Sequence, residues 1–108
     1  MTQIVTGDDV ALPVTLKKDG AVFAIDAGAT VQAALVSLDR STVLAGPVTC
    51  SNVATGADWP NSLVIVPFDS TTTSSITATG KALLEIQVND SGKLTWFVTV
   101  DIEKGTIA

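Results

Sequence analysis

Residues 81–105, KALLEIQVNDSGKLTWFVTVDIEKG, carry the clearest secondary-structure pattern in the chain. Apolar and polar residues alternate on both sides of Asp90-Ser91-Gly92, as two half-buried strands joined by a tight turn require. Ala82, Leu84, Ile86 and Val88 take one side of the first arm, with Leu83, Glu85, Gln87 and Asn89 on the other. In the second arm Leu94, Trp96, Val98, Val100 and Ile102 alternate with Thr95, Phe97, Thr99, Asp101 and Glu103. The pattern predicts Trp96 in the core, Phe97 on the opposite face, and the hairpin at one edge of a sheet. Asn and Asp tolerate unusual backbone angles and Gly92 can supply a positive φ, so the turn explains its own residues. The glycosylation pattern Asn89-Asp90-Ser91 is then an accident of that turn.

Working outward, VALPVTLK places Val10, Leu12, Val14 and Leu16 on one face of a strand. Pro13 lacks an N–H and predicts an edge or a bulge there. Asp19-Gly20 turns the chain into a short strand, AVFAID. In TVQAALVSLD the alternation blurs, because Val31, Ala33 and Leu35 fill one register and Ala34, Val36 and Leu38 the other. A central strand covered on both faces, or a bulged one, reads this way. Arg40-Ser41 turns into TVLAGPVTCSN, interrupted at Gly46-Pro47, and ATGADWPN is a loop. SLVIVPF suits a buried strand, and DSTTTSSITATG has room for one short helical turn capped by Asp69 or Ser70.

No linker, charge block or repeat divides the 108 residues, so one domain, 1–108, is predicted. Apolar residues make up 46% and charged residues 16%, which argues against disorder. About seven short antiparallel strands without a βαβ pattern predict an all-β fold: an immunoglobulin-like β-sandwich, or a small barrel.

The charge balance excludes several roles. Six basic residues against eleven acidic ones give a net charge of −5, and only Lys17 and Lys18 are adjacent. A phosphate-tracking surface needs clustered cations, so no nucleic-acid partner is expected, and an anionic membrane is disfavoured for the same reason. No apolar run approaches the roughly 20 residues of a membrane span. MTQIVTGDDV has no basic segment and meets two aspartates at once, which predicts no secretory leader and synthesis in a cytoplasm.

Catalytic chemistry finds no foothold. The absence of His removes the usual general base and triads, and no Ser lies in an elbow-like context. No catalytic residue, cofactor or metal ligand is assigned. Asp8 and Asp9 with Asp19, Asp26 or Asp90 lack the spacing of a calcium loop, and Asp8-Asp9 and Asp101/Glu103 read as solvated charge that protects strand edges. GAVFAIDAG has the wrong glycine spacing for phosphate. The single Cys50, in VTCSN, reads as a small semi-buried apolar residue with no cation beside it in sequence. Contact residues remain. Leu83, Phe97 and Thr99 sit on the outward side of the hairpin, where another subunit or a partner would bury them. Alternatively the Trp59-Pro60 segment of the same chain folds over them. Trp59 itself is either a contact residue or a plug over one end of the sandwich.

The order of these features resembles a known family. TGDDVALPVTLKKDGAVFAID, AGATVQAALVSLD and the closing GKALLEIQV…GKLTWFVTVDIEKG are similar to the small immunoglobulin-like domains of tailed-phage and prophage virion proteins, above all the N-terminal domain of phage baseplate upper proteins. The matching positions are Gly7, Asp8, Asp19, Gly20, Asp26, Val31, Gly80, Thr95 and Gly105. The chain departs at Gly80-Lys81-Ala82, where the family commonly carries Gly-x-Tyr. The resemblance implies a non-enzymatic structural protein of the virion, in tail, baseplate or capsid surface, whose partners are other virion proteins and itself as a homo-oligomer. The competing expectation is an immunoglobulin-like binding module of a surface or adhesin protein that recognises protein or carbohydrate.

Overall fold

A computed structural model describes residues 2–77, 79–90 and 92–104. Ser91 of the expected turn and Gly105 of the closing motif lie outside them. The described chain forms nine strands: β1 (Thr2–Val5), β2 (Val10–Thr15), β3 (Lys17–Lys18), β4 (Ala21–Val22), β5 (Thr30–Val36), β6 (Val43–Cys50), β7 (Leu63–Phe68), β8 (Gly80–Asn89) and β9 (Lys93–Glu103). A 3-10 turn spans Trp59–Asn61, and one short helix, α1, spans Ser70–Ser74. The fold is all-β.

β8 and β9 pair antiparallel in the register expected of the closing hairpin, with Ala82 opposite Val100, Leu84 opposite Val98 and Ile86 opposite Trp96. The hairpin is not at the edge of its sheet. The order is β1-β9-β8-β5-β6, so both its strands are interior. β1 covers the free side of β9 in parallel, with Ile4 opposite Ile102 and fully buried. Nothing in the local periodicity of TQIV announces that partner, because it lies at the other end of the chain. The parallel pair and the nine strands also depart from the expected seven antiparallel ones.

β2 and β7 form a second, two-stranded sheet, with Leu12 opposite Val66 and Val14 opposite Val64. Pro13 therefore sits in a strand with one partner, as its missing N–H requires. The inward residues of both sheets, among them Leu12, Val64, Val66, Phe68, Val31, Leu35, Leu84, Ile86 and Val100, share one core. The architecture is sandwich-like. Each large side chain so buried contributes roughly 1.5 to 3 kcal/mol.

The irregularities have local causes. β5 is an interior strand bulged against β6, with register shifts on either side of Leu35. Its outer face at Gln32 and Ala34 is not covered, so the bulge and not burial on both faces blurs its alternation. At the shift Gly46 takes φ +90°, and a Cβ there would lie 3.1 Å from the Ala33 carbonyl oxygen and 3.3 Å from Ala34 Cα. Only glycine fits this close approach of two backbones. AVFAID pairs only through Ala21 and Val22, opposite Lys18 and Lys17. Asp19 (φ 55°) and Gly20 (φ 82°) supply the two positive angles of the tight turn between β3 and β4. From Phe23 onward the backbone instead bonds elsewhere: Phe23 N–H donates to the Leu16 carbonyl (3.1 Å) and Ile25 N–H to that of Trp59 (2.9 Å).

Candidate functional site

Alternation along β8 and β9 that buries one face leaves the other open. On the outer side of the five-stranded sheet the pairings run Val36–Leu83–Thr99, Ala34–Glu85–Phe97 and Gln32–Gln87–Thr95 from β5 through β8 to β9. Leu83 is half-buried, Thr99 is exposed, and Phe97 remains 37% exposed, so three of the four expected contact residues do share one face. Val43, more than half exposed and opposite Val36 of β5, widens its apolar part. Beside β6 the bulge leaves a depression of about 230 Å³ lined by Gln32, Ala34, Val43, Pro47, Glu85 and Gln87.

Phe97 is roofed by the same chain, though not by the segment expected. The Arg40 guanidinium lies 3.9 Å from the centre of its ring. Arg40 reaches it from the β5–β6 turn, where it adopts φ 63°. That turn is built around Asp39, whose Oδ1 accepts from Ser37 Oγ (2.6 Å), Ser41 Oγ (2.7 Å) and Ser41 N–H (3.0 Å). Hydrogen bonds to the ionised form, first that of the Ser37 hydroxyl and then those of Ser41, hold the Asp39 carboxyl down to about 2. Sequence reading took Arg40-Ser41 as a turn and missed the stack, since the ring and the cation come from separate hairpins. No local signal marks it, because the β5–β6 turn meets β9 only across the intervening β8.

Trp59, the fourth expected contact residue, is withdrawn. It is 4% exposed and belongs to the core, so it is the plug and not a surface. Pro60 at the start of the 3-10 turn and Ser62 in the left-handed region (φ 65°) drive the ring inward. Ser62, fully buried, donates its hydroxyl to the Phe23 carbonyl and accepts the Leu16 N–H at its own (3.1 Å). The indole N–H of Trp59 finds no acceptor among the described residues. Trp96 behaves differently. It is half-buried, lies against Phe23 with ring centres 5.2 Å apart, and donates its N–H to the Lys17 carbonyl (2.9 Å), tying β9 to the β3–β4 ribbon.

Several of the acidic residues have structural partners. Asp9 Oδ1 accepts the Ser70 N–H at 2.7 Å and Asp69 Oδ1 the Thr72 N–H at 2.7 Å, so two aspartates cap the first turn of α1. The Thr72 bond holds Asp69 below the usual carboxylate range. Thr73, fully buried, donates to the Asp8 carbonyl (2.7 Å) and accepts the Gly7 N–H (3.0 Å). The Gly7-Asp8-Asp9 segment thus clasps α1, a part beyond the solvated edge charge expected of it. Asp101 pairs with Lys81 at 3.5 Å across β8 and β9. Among the described residues no three His, Cys, Asp or Glu side chains gather to hold a metal, and no helix is long and apolar enough to cross a membrane. Burial pushes the Cys50 thiol up to about 11, which keeps it protonated and unreactive near neutrality. What the arrangement offers is an open, mixed sheet face. No protein-family model matches the chain, and no curated protein matches it either.

Proposed function

We propose that this protein is a non-enzymatic structural component of a tailed-phage or prophage virion, an immunoglobulin-like domain that works by assembling with other virion proteins and with copies of itself. Made in the bacterial cytoplasm, it resides in the particle, in tail, baseplate or capsid surface. The observation that carries this reading is the outer sheet face, where Leu83 is half-buried and Phe97 and Val43 stay exposed, in a molecule several of whose aspartates are taken up by capping and turn formation. Apolar surface of that kind marks a protein contact. The resemblance of the TGDDVALPVTLKKDG and GKLTWFVTVDIEKG stretches to phage virion domains supplies the direction. The test is mass spectrometry of gradient-purified virions from the phage or lysogen that encodes the chain. A fixed copy number per particle is expected, and a chain found only in the soluble lysate overturns the reading.

One observation favours the second reading, a binding module for protein or carbohydrate. The depression beside β6 brings together the amides of Gln32 and Gln87 and the carboxylate of Glu85, groups suited to hydroxyl recognition. Glycan titration followed by amide NMR tests it: shifts confined to those three residues, lost in Gln87→Ala, would favour that reading over assembly.

A further inference from the structure

We propose that the outer face of the five-stranded sheet is a self-association surface, on which two copies of the chain stack about a two-fold axis lying between the sheets and crossing β9 near Val98. This rests on the assembly reading above and names the partner, a second copy, and the geometry.

Charge points to a second copy. The face carries Arg40, Lys81 and Lys93 against Glu85, Asp101 and Glu103, a balanced set on the outward positions of β8 and β9 and the turn above them. The protein has six cations and eleven carboxylates in all. The three cations and eight aspartates left over therefore carry the whole net charge of −5, and none of them occupies an outward position of β8 or β9, although Asp39, exposed beside Arg40 in the turn, adds one negative charge at the rim. Two identical acidic molecules repel through their other surfaces and meet with the least repulsion through this one.

The order of charges along β9 fixes the direction. Lys93 stands at one end of the strand, Glu103 at the other, and both are exposed. Stacking about an axis that crosses the strands reverses the second copy, so position 93 meets position 103 and position 97 meets position 99. Each Lys93 then faces Glu103 of the second copy, and both Phe97 rings, with Arg40 upon them, lie beside the axis. The isologous arrangement uses one patch twice, as two-fold assembly requires. Stacked sheets pack about 10 Å apart.

Size agrees. Eleven residues of β9 at about 3.4 Å per residue run about 34 Å, and five strands about 4.8 Å apart span about 20 Å. The footprint, on the order of 700 Å², is close to the roughly 800 Å² per partner of a standard stable interface.

Sedimentation equilibrium of the full chain, from about 1 µM to about 1 mM, tests the proposal. A monomer–dimer equilibrium is expected. Lys93→Glu and Glu103→Lys, each placing like charges opposite one another, should each weaken it about tenfold, and the double swap should restore it to within about threefold. Phe97→Glu should abolish it. All three changes are at exposed positions, and circular dichroism at micromolar concentration checks that each variant is folded. A strictly monomeric chain, a heterologous open-ended association, or a dimer indifferent to the swaps overturns the proposal. A monomer still present in purified virions would end self-pairing and leave the assembly role. A swap-sensitive dimer absent from virions would do the reverse.

Discussion

On its inner side the β8–β9 hairpin presents Ala82, Leu84, Ile86, Val88, Val100 and Ile102, none more than 3% exposed. On its outer side the same strands present Leu83, Thr95, Phe97 and Thr99, with Phe97 37% exposed under a single arginine. The buried row is wholly aliphatic, whereas the outer one sets Leu83 and Phe97 among threonines and charged groups. The covering differs as well. The inner row lies under β2 and β7 and is held by packing that no single contact decides, whereas the outer row is roofed only by a turn. A strand pair can thus be fixed by one face and leave the other to be filled from outside.

The largest effect expected from testing that contrast is on the inner row. Leu84→Ala should cost about 2 to 5 kcal/mol of unfolding free energy in urea, while Leu83→Ala, one residue away, should cost well under half as much. Equal losses would mean that both faces are packed in the isolated chain. At the seam between β5 and β6, Gly46→Ala places a methyl against the Ala33 carbonyl at a positive φ and should cost about 1 to 3 kcal/mol by thermal or chemical denaturation. Phe97→Ala removes an exposed cation–π contact and should change monomer stability by no more than about 1 kcal/mol. A larger loss would transfer Phe97 to the structural side of the comparison. The smallest effect is electrostatic. Asp39 titrates at about 2 in the folded chain against an ordinary 3.8. Its contribution is therefore complete above about pH 4 and is lost as the pH falls through about 2. Carboxyl NMR should find that low midpoint, and Ser41→Ala should raise it toward the ordinary value.

Legibility in the sequence followed the range of the interaction. The register of β8 with β9, the face of β2, the Asp19-Gly20 turn and the Asp69 cap of α1 each depend on residues within one element or its flank, and each was readable. β1 was not, because a four-residue strand acquires meaning only from a parallel partner at the far end of the chain. The interior placement of the hairpin failed with it. Trp59 misled because GADWPN is polar and turn-rich, and only the left-handed Ser62 and its bonds to Phe23 and Leu16 send the ring inward. The roof on Phe97 and the clasp of Asp9 on Ser70 join residues far apart in sequence, so composition and spacing could not reveal them. The outward pair Leu83 and Thr99 needed only alternation.

The parallel pairing of β1 with β9 also sets a timetable for the nascent polypeptide. Ile4 is synthesised before its partner and has no strand to join until Ile102 follows. At about 5 to 20 residues per second that interval is on the order of 5 to 20 s, during which an apolar segment waits without its docking site. Completion of the five-stranded sheet therefore waits until β9 has been synthesised, and the greatest exposure to misassociation precedes it.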